Sequence, residues 1–111
     1  MEIAQRVEGD ITIFLPDGHV DSLAADEMDQ TFQAAVAGGS HKIVVDMSKV
    51  QYITSSGLRA LSAVLVRCRK EGGDMKIAAL NERVTRVFKM VGFELLMSLH
   101  ETADAAIADF S

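Results

Sequence analysis

Three consecutive hydroxyl side chains, Thr54, Ser55 and Ser56, form the stretch of this sequence that is best suited to chemistry. A serine at the start of a helix can cap the first backbone amides, which lack partners within the helix. The same free amides, together with the positive end of the helix dipole, favour a phosphate group. These residue types therefore indicate either a helix cap or a hydroxyl that accepts a phosphoryl group.

The flanking segments predict how these hydroxyls are positioned. Ile43, Val44 and Val45 form a short β-branched run, which is typical of a strand that is buried on both faces. A helix is predicted from Ser56 to about Lys70, because apolar residues recur at helical spacing at Leu58, Leu61, Val64, Leu65 and Cys68. In a mainly parallel sheet the functional crevice lies at the carboxyl ends of the strands, and the hydroxyls fall at such an end.

The whole chain predicts one α/β domain, residues 1–111, in which a mixed sheet of four to five strands packs with about four helices. The predicted strands are a hairpin of Ile3–Val7 and Ile11–Leu15, ended by Pro16-Asp17-Gly18, and then Lys42–Asp46, Met75–Ala79 and an edge strand Leu95–Leu99. The other predicted helices run from Asp21 or Ser22 to about Val36, from Asn81 to an inward-facing Val91, and from Thr102 to Phe110.

The stretch from Asp46 to Leu58, Asp-Met-Ser-Lys-Val-Gln-Tyr-Ile-Thr-Ser-Ser-Gly-Leu, resembles the signature of STAS domains, specifically the single-domain bacterial anti-sigma factor antagonists. The usual form in that family is Asp-Leu-Ser, a few residues, an apolar pair, and then Asp-Ser-Ser/Thr-Gly-Leu. Gly18-His19-Val20-Asp21 is similar to the family's earlier Gly-x-Leu-Asp, so the resemblance covers nearly the whole chain. Thr54 stands where the family has an acidic residue, and Arg59 stands where a second glycine is common.

The resemblance implies a STAS-like fold and a protein-binding module that is controlled by phosphorylation. Ser55 matches the serine that is phosphorylated by an anti-sigma factor with serine kinase activity, which brings ATP and Mg²⁺, and Thr54 and Ser56 are less favoured acceptors. The unphosphorylated module would bind the anti-sigma factor and free a sigma factor, and a PP2C-type phosphatase would reverse the modification. The residues expected to surround the acceptor and contact the partner are Asp21, Asp46, Thr54, Ser56, Gly57 and Arg59.

The sequence also leaves other interpretations open. Asp21 is explained equally well as a helix cap, and Asp46 as a turn former at the end of a strand. The chain would also suit a STAS subunit that stays bound to a transporter or another signalling assembly, and Thr54 in place of the acid is compatible with that role. A third interpretation is a partner switch whose target is not a sigma factor.

Composition argues against several other classes of function. The net charge of −5 and the lack of a basic stripe argue against direct nucleic-acid binding. No apolar run reaches the roughly 20 residues that span a bilayer, and the first residues do not resemble a signal peptide. The single Cys68 suits a reducing cytoplasm and should be a buried core residue. His19, His41 and His100 are too scattered for a metal site, and no phosphate-binding loop or directed base is present, so we expect no cofactor and no catalysis.

Overall fold

The computed structural model describes all residues from 1 to 111 and contains six strands and four α-helices. The strands are β1 (Glu2–Glu8), β2 (Ile11–Val20), β3 (Lys42–Asp46), β4 (Val50–Ile53), β5 (Asp74–Ala78) and β6 (Ser98–His100). The helices are α1 (Ser22–Ala37), α2 (Ser55–Lys70), α3 (Glu82–Met90) and α4 (Ala103–Ala108), with a 3₁₀ helix at Phe93–Leu95. The mixed α/β architecture predicted from the sequence is confirmed, and the sheet has one strand more than the upper expectation.

The sheet has the spatial order β1-β2-β3-β5-β6, and β4 pairs with the end of β2. β1 and β2 form the predicted antiparallel hairpin, and all other strand pairs are parallel. β3 pairs with the first part of β2, and β4 pairs with the last residues of β2. β3 and β4 therefore lie one after the other along β2. The extra strand therefore carries the chain from the end of β3 to the end of β2.

β2 is longer than the sequence predicts, because it continues through Pro16-Asp17-Gly18 to Val20. Pro16 lies after Phe14, the last residue paired with β3, and before Gly18, the first residue paired with β4. The missing N–H of the proline is therefore not needed in a parallel ladder. The register shifts between Gly18 and the next residue, and Gly18 has φ +117°, which only glycine adopts readily at such a bulge.

β4 was not expected as a strand, and one asparagine holds it in place. Nδ2 of Asn81 donates hydrogen bonds to the carbonyl oxygens of Val50 and Gln51, both at 3.1 Å. Oδ1 of the same side chain accepts from the amide of Val84 at 2.8 Å and caps α3. Asn81 thus joins the start of α3 to the strand that leads into the hydroxyls.

The sheet is covered on both faces, as the apolar run of β3 predicts. Ile43 and Val45 face the larger core, which includes the buried sides of α1, α2 and α3, whereas Val44 faces a smaller core beneath α4. Phe14 and Phe32 are fully buried in the larger core with their ring centroids 4.5 Å apart. None of the helices combines the length and the apolar character that crossing a bilayer requires.

The segment between α3 and β6 differs most from the sequence prediction. Val91 was expected to face inward and Leu95–Leu99 to form a strand, but Val91, Leu95 and Leu96 are exposed and the strand is confined to Ser98–His100. Gly92, with φ +76°, turns the chain away from α3, and the following 3₁₀ helix replaces the expected strand start. The other predicted boundaries lie within two residues of those observed.

Candidate functional site

The starts of α1 and α2 lie side by side at the carboxyl ends of two paired strands. Val20, the last residue of β2, pairs in parallel register with Ile53, the last residue of β4. Each strand is followed by one capping residue and then by the serine that begins a helix, which are Asp21 and Ser22 after β2 and Thr54 and Ser55 after β4. The strand pairing therefore brings two helix N-termini together, where free amides favour an anionic group.

The three hydroxyls of the predicted site have different surroundings. Oγ1 of Thr54 donates a hydrogen bond to the carbonyl oxygen of Val20 at 2.9 Å. Oγ of Ser56 lies 3.3 Å from Oγ of Ser22 on the neighbouring helix. Ser55 is exposed, and its hydroxyl takes part in none of the hydrogen bonds of the site. Of the three hydroxyls, only that of Ser55 is both accessible to an external enzyme and free of hydrogen bonds.

α2 begins without a side-chain cap. Thr54 occupies the capping position, but its hydroxyl is committed to the carbonyl of Val20 and accepts no bond from the first amides of the helix. In α1, α3 and α4 the capping side chains do accept such a bond. Asp21, Asn81 and Thr102 accept from the backbone amides of Ala24, Val84 and Ala105 respectively. The first amides of α2 are therefore available to another acceptor, such as a phosphate on an adjacent hydroxyl.

Gly57 lets the first turn of α2 lie directly on the ends of β2 and β4. A Cβ atom at this position would lie 2.5 Å from Cγ1 of Ile53 and 2.7 Å from Cγ1 of Val20. Both side chains are buried and would have to move to accept it. Close packing beneath the hydroxyls therefore explains why glycine stands at this position of the signature.

The two aspartates that were expected to border the hydroxyls lie in different places. Asp21 is exposed at the start of α1, where its Oδ1 accepts from the amide of Ala24 at 2.9 Å. Asp46 ends β3 and accepts from the amide of Ser48 at 3.0 Å. The four residues of β4 then carry the chain about 13 Å onward before the hydroxyls are reached. Asp21 therefore lies at the helix start next to the hydroxyls. Asp46 does not, because strand β4 lies between Asp46 and the hydroxyls.

Arg59 stands between two grooves that flank the start of α2. One groove, of about 280 Å³, lies between α1 and α2, and its polar lining consists of Ser22, Asp26, Asp29, Ser56 and Arg59. The other, also of about 280 Å³, lies between α2 and the segment after α3, and its lining consists of Ser55, Leu58, Arg59, Ser62, Val91 and Phe93. Arg59 is exposed and forms no salt bridge within the chain. Its guanidinium group is therefore available to bind an anion in either groove.

Sequence reasoning missed the groove residues that come from α1 and from the segment after α3. One signal was available for the first group, because Asp21-Ser22 repeats at the start of α1 the arrangement of Thr54-Ser55 at the start of α2. No comparable signal exists for Val91 and Phe93, whose positions depend on the turn at Gly92.

Comparison with known proteins identifies the family of this chain. The sequence profile of the STAS domain matches residues 2–106. The chain belongs to the STAS domain family. It is 30% identical over 93 residues to BtrV, a candidate anti-sigma factor antagonist of Bordetella bronchiseptica, with 84% of this chain and 80% of that protein covered.

Solved structures share the STAS fold of this chain. A candidate anti-sigma factor antagonist from Thermotoga maritima has a TM-score of 0.91 at 21% identity, with 96% of this chain and 92% of that one covered. SpoIIAA of Bacillus in its phosphorylated form has a TM-score of 0.77 at 15% identity, with 99% and 100% of the two chains covered. At these identities the comparison establishes the fold, and the site must be argued from the residues of this chain.

A serine, a histidine and an acid also meet near the C-terminus of this STAS domain, but not in the geometry of a catalytic triad. Oγ of Ser98 is 2.7 Å from Nε2 of His100, and Oδ2 of Asp109 is 3.3 Å from the same nitrogen. A triad needs the serine and the acid at opposite nitrogens of the ring. Asp109 is instead the partner of the buried Lys76 at 2.7 Å, and the hydrogen bond from that ammonium lowers the pKa of the Asp109 carboxyl. The cluster fastens α4 to the sheet.

Cys68 is a core residue of α2, as predicted from its place in the apolar stripe. Its side chain is fully buried, and burial raises the pKa of the thiol to about 11. A thiol with this pKa is almost entirely protonated at neutral pH and is a poor nucleophile. The helix that carries the candidate site therefore presents its hydroxyls to solvent and keeps its sulfur in the core.

Proposed function

We propose that this STAS domain is an anti-sigma factor antagonist whose binding is switched off by phosphorylation of Ser55. The observation that carries the proposal is the exposed, unbonded hydroxyl of Ser55 at the uncapped start of α2, beside Thr54 and Ser56, whose hydroxyls are both engaged. The names of BtrV and of the Thermotoga structure support the same function. In the unphosphorylated form the chain binds the anti-sigma factor in the cytoplasm and so frees a sigma factor for RNA polymerase.

The anti-sigma factor is itself the serine kinase in this proposal. It holds ATP with Mg²⁺, and the γ-phosphoryl group passes to Oγ of Ser55 as the bond to the β-phosphate breaks and ADP leaves. The hydroxyl proton goes to a base of the kinase. A phosphatase of the PP2C type later hydrolyses the phosphate ester and restores the binding form.

The start of α2 can receive the phosphate without rearrangement of the fold. Ser55 is the first residue of the helix, so a phosphate on its Oγ lies next to amides that have neither a helical partner nor a side-chain cap. The positive end of the helix dipole also favours the added charge. Phosphorylation is therefore expected to act locally, through charge and contacts, and not by unfolding the domain.

The added charge is large enough to act as a switch. Phosphorylation adds about −1.5 to −2 charges at neutral pH, close to the carboxylate of Asp21 at the neighbouring helix start. A partner that docks an acidic side chain here then places like charges together across the interface, which costs on the order of several kcal/mol, and each ~1.4 kcal/mol weakens binding about tenfold. One phosphate is therefore enough to move the complex from the bound to the free state.

Arg59 adds a second element to the switch. Ser55 and Arg59 are four residues apart on α2, which places their side chains on one face of the helix. A phosphate on Ser55 is thus within reach of the unpaired guanidinium group of Arg59. Once paired with the phosphate, Arg59 is no longer available to an acidic group of the partner, so one modification both adds repulsion and removes an attraction.

Isothermal titration calorimetry with the kinase-type anti-sigma factors of the source organism, purified and tested one at a time, tests the proposal. We expect one of them to bind the unphosphorylated chain and the Ser55→Ala variant equally well. The phosphorylated chain should bind at least 100-fold more weakly, and Ser55→Asp should lie between, because it carries less charge and fewer oxygens. Equal binding of both phosphorylation states would instead favour a STAS subunit that is bound constitutively to a larger assembly.

A further inference from the structure

Four large apolar side chains that lie close together in the chain, at the last residue of α3 and in the segment that follows it, are exposed. Met90, Val91, Leu95 and Leu96 retain 79%, 52%, 85% and 50% of their accessible surface, and we call these four residues the apolar platform. Scattered exposed apolar residues are normal on proteins, but several within one short segment mark an interaction surface. Val91 was predicted to face inward, and the predicted edge strand was to begin at Leu95, whereas the observed strand begins at Ser98.

The apolar platform is held in a fixed position. The ring of Phe93 packs edge-on against Phe88 with the centroids 5.9 Å apart, which fastens the 3₁₀ helix to α3. Nη2 of Arg69, on α2, donates a hydrogen bond to the carbonyl oxygen of Leu96 at 2.8 Å, and Met97 is buried in the core. A surface fixed in this way loses little conformational entropy when a partner covers it.

The apolar platform is continuous with the candidate phosphorylation site. Val91 lines the same groove as Ser55 and Arg59, so a protein that reaches the Ser55 hydroxyl from this side also lies over the platform. On the far side, Met90 lines a groove with Arg86 and Lys89.

The charge around the apolar platform is opposite to that of the whole chain. The cations that adjoin it, Arg59, Arg86 and Lys89, form none of the salt bridges of the domain, although the net charge of the chain is −5. Two acidic residues also adjoin it, since Glu94 lies within the segment itself and Glu82 lines the far groove with Arg86 and Lys89. An apolar surface flanked by unpaired cations fits an apolar segment flanked by acidic side chains.

We propose that the apolar platform is the principal docking surface for the anti-sigma factor kinase, and that it receives an apolar, acid-flanked segment of that protein. The proposal rests on the function proposed above, and it assigns binding and its control to different residues. The platform supplies most of the binding free energy through apolar burial, whereas Ser55 and Arg59, which share a groove with Val91 of the platform, decide whether the complex persists. A phosphate at Ser55 then opposes docking without touching the platform.

The test uses a double variant, Met90→Ser/Leu95→Ser, which removes the two most exposed side chains of the apolar platform. Val7→Ser is the matched control, because Val7 is 62% exposed on β1 at the opposite edge of the sheet. We expect the double variant to bind the purified anti-sigma factor at least 30-fold more weakly, whereas Val7→Ser binds as the wild type does. Both variants should keep the melting temperature within about 3 °C, because the removed side chains are exposed.

Phosphorylation kinetics supply a second readout. A docking surface stabilises the ground state and the transition state equally, so its loss should raise KM for the kinase reaction with little change in kcat. Lys89→Glu should weaken binding further and reduce its dependence on salt, because it reverses one of the flanking charges.

Unchanged binding of the double variant to an anti-sigma factor that binds the wild type would overturn the docking proposal alone. If the wild type forms a dimer in light scattering that the double variant does not form, and the anti-sigma factor binds both equally, a second copy covers the platform. If instead vesicles containing phosphatidylserine bind the wild type and not the variant, the occupant is a membrane, and the proposal is wrong. Failure of every anti-sigma factor to bind the wild type would overturn the proposed function and this inference together.

Discussion

The hydroxyl of Thr54 donates a hydrogen bond to the backbone carbonyl of Val20 at 2.9 Å, across the two strands that support the candidate site. The amide of Thr54 donates to the same oxygen at 3.0 Å. An acidic residue, which the family has at this position, could not make the side-chain bond, because two oxygens without a proton repel each other. In this chain the departure from the family pattern ties the residue before Ser55 to the sheet and leaves Ser55 as the accessible hydroxyl.

Replacing Thr54 by Val tests whether this hydroxyl is structural. The variant keeps the shape of the side chain and loses one hydrogen bond, so the free energy of unfolding in urea should fall by about 1 kcal/mol. Ser55 should still be phosphorylated by the kinase, because its own hydroxyl is untouched. A folded variant that can no longer be phosphorylated would show that Thr54 is the acceptor.

Gly57→Ala should destabilise the domain by about 1–3 kcal/mol, because the new methyl group would lie 2.5 Å from Cγ1 of Ile53 and 2.7 Å from Cγ1 of Val20. Gly38→Ala is a suitable control, since Gly38 has φ −83° and an added Cβ has no neighbour closer than 3.5 Å. Thermal unfolding followed by circular dichroism compares the two. Equal melting temperatures would mean that α2 does not pack on the strand ends as closely as described.

Arg59→Glu should weaken binding of the anti-sigma factor by more than tenfold and leave the melting temperature almost unchanged. Arg59 is exposed without a salt bridge near the start of α2, where a negative charge suits the helix dipole at least as well. Lys70→Glu makes the same change in net charge at the other end of the helix and should leave binding intact. If Arg59→Glu binds normally but melts at a lower temperature, Arg59 is structural and the binding face lies elsewhere.

Cys68 should not react with a disulfide reagent such as DTNB at pH 8 until the domain is unfolded in urea. Burial raises the pKa of the thiol from 9.0 to about 11, so the folded state favours the protonated thiol. The associated stability is present in full below pH 9 and is lost as the pH rises through about 11. The free energy of unfolding of the wild type should therefore fall more steeply over this range than that of Cys68→Ala. Rapid labelling of the native protein would contradict the burial of this thiol.

The sequence predicts the parts of the fold whose signals are local. β3 was predicted with its observed bounds, because a β-branched run between polar residues has few alternatives. Asn81 was identified as the cap of α3 for a similar reason, since its side chain satisfies an amide only three residues away. The second role of the same side chain, holding β4, could not be predicted, because it depends on a strand that lies 30 residues earlier in the chain.

Other features depend on which segments the fold brings together. Asp46 was expected beside the hydroxyls because both follow the carboxyl end of a strand and because the family resemblance groups them, but the unpredicted strand β4 separates Asp46 from the hydroxyls. Val91 was expected to face inward from its helical spacing, and Leu95 was expected to begin an edge strand, whereas the chain turns at Gly92 and leaves both residues exposed. The prediction thus failed at the surface for which we propose a partner, and functional surfaces are where a conflict between pattern and fold is expected.

The identity of the phosphorylated residue is the central claim, and mass spectrometry tests it most directly. The wild-type chain and the Ser55→Ala variant are incubated with the anti-sigma factor that binds them, ATP and Mg²⁺, and the intact masses and fragment spectra are recorded. We predict one phosphate on the wild type, on Ser55, and none on Ser55→Ala, because the hydroxyls of Thr54 and Ser56 are engaged with Val20 and Ser22. A phosphate on Thr54 or Ser56 of the wild type, or an unmodified wild type in the presence of a kinase that binds it, would contradict the account.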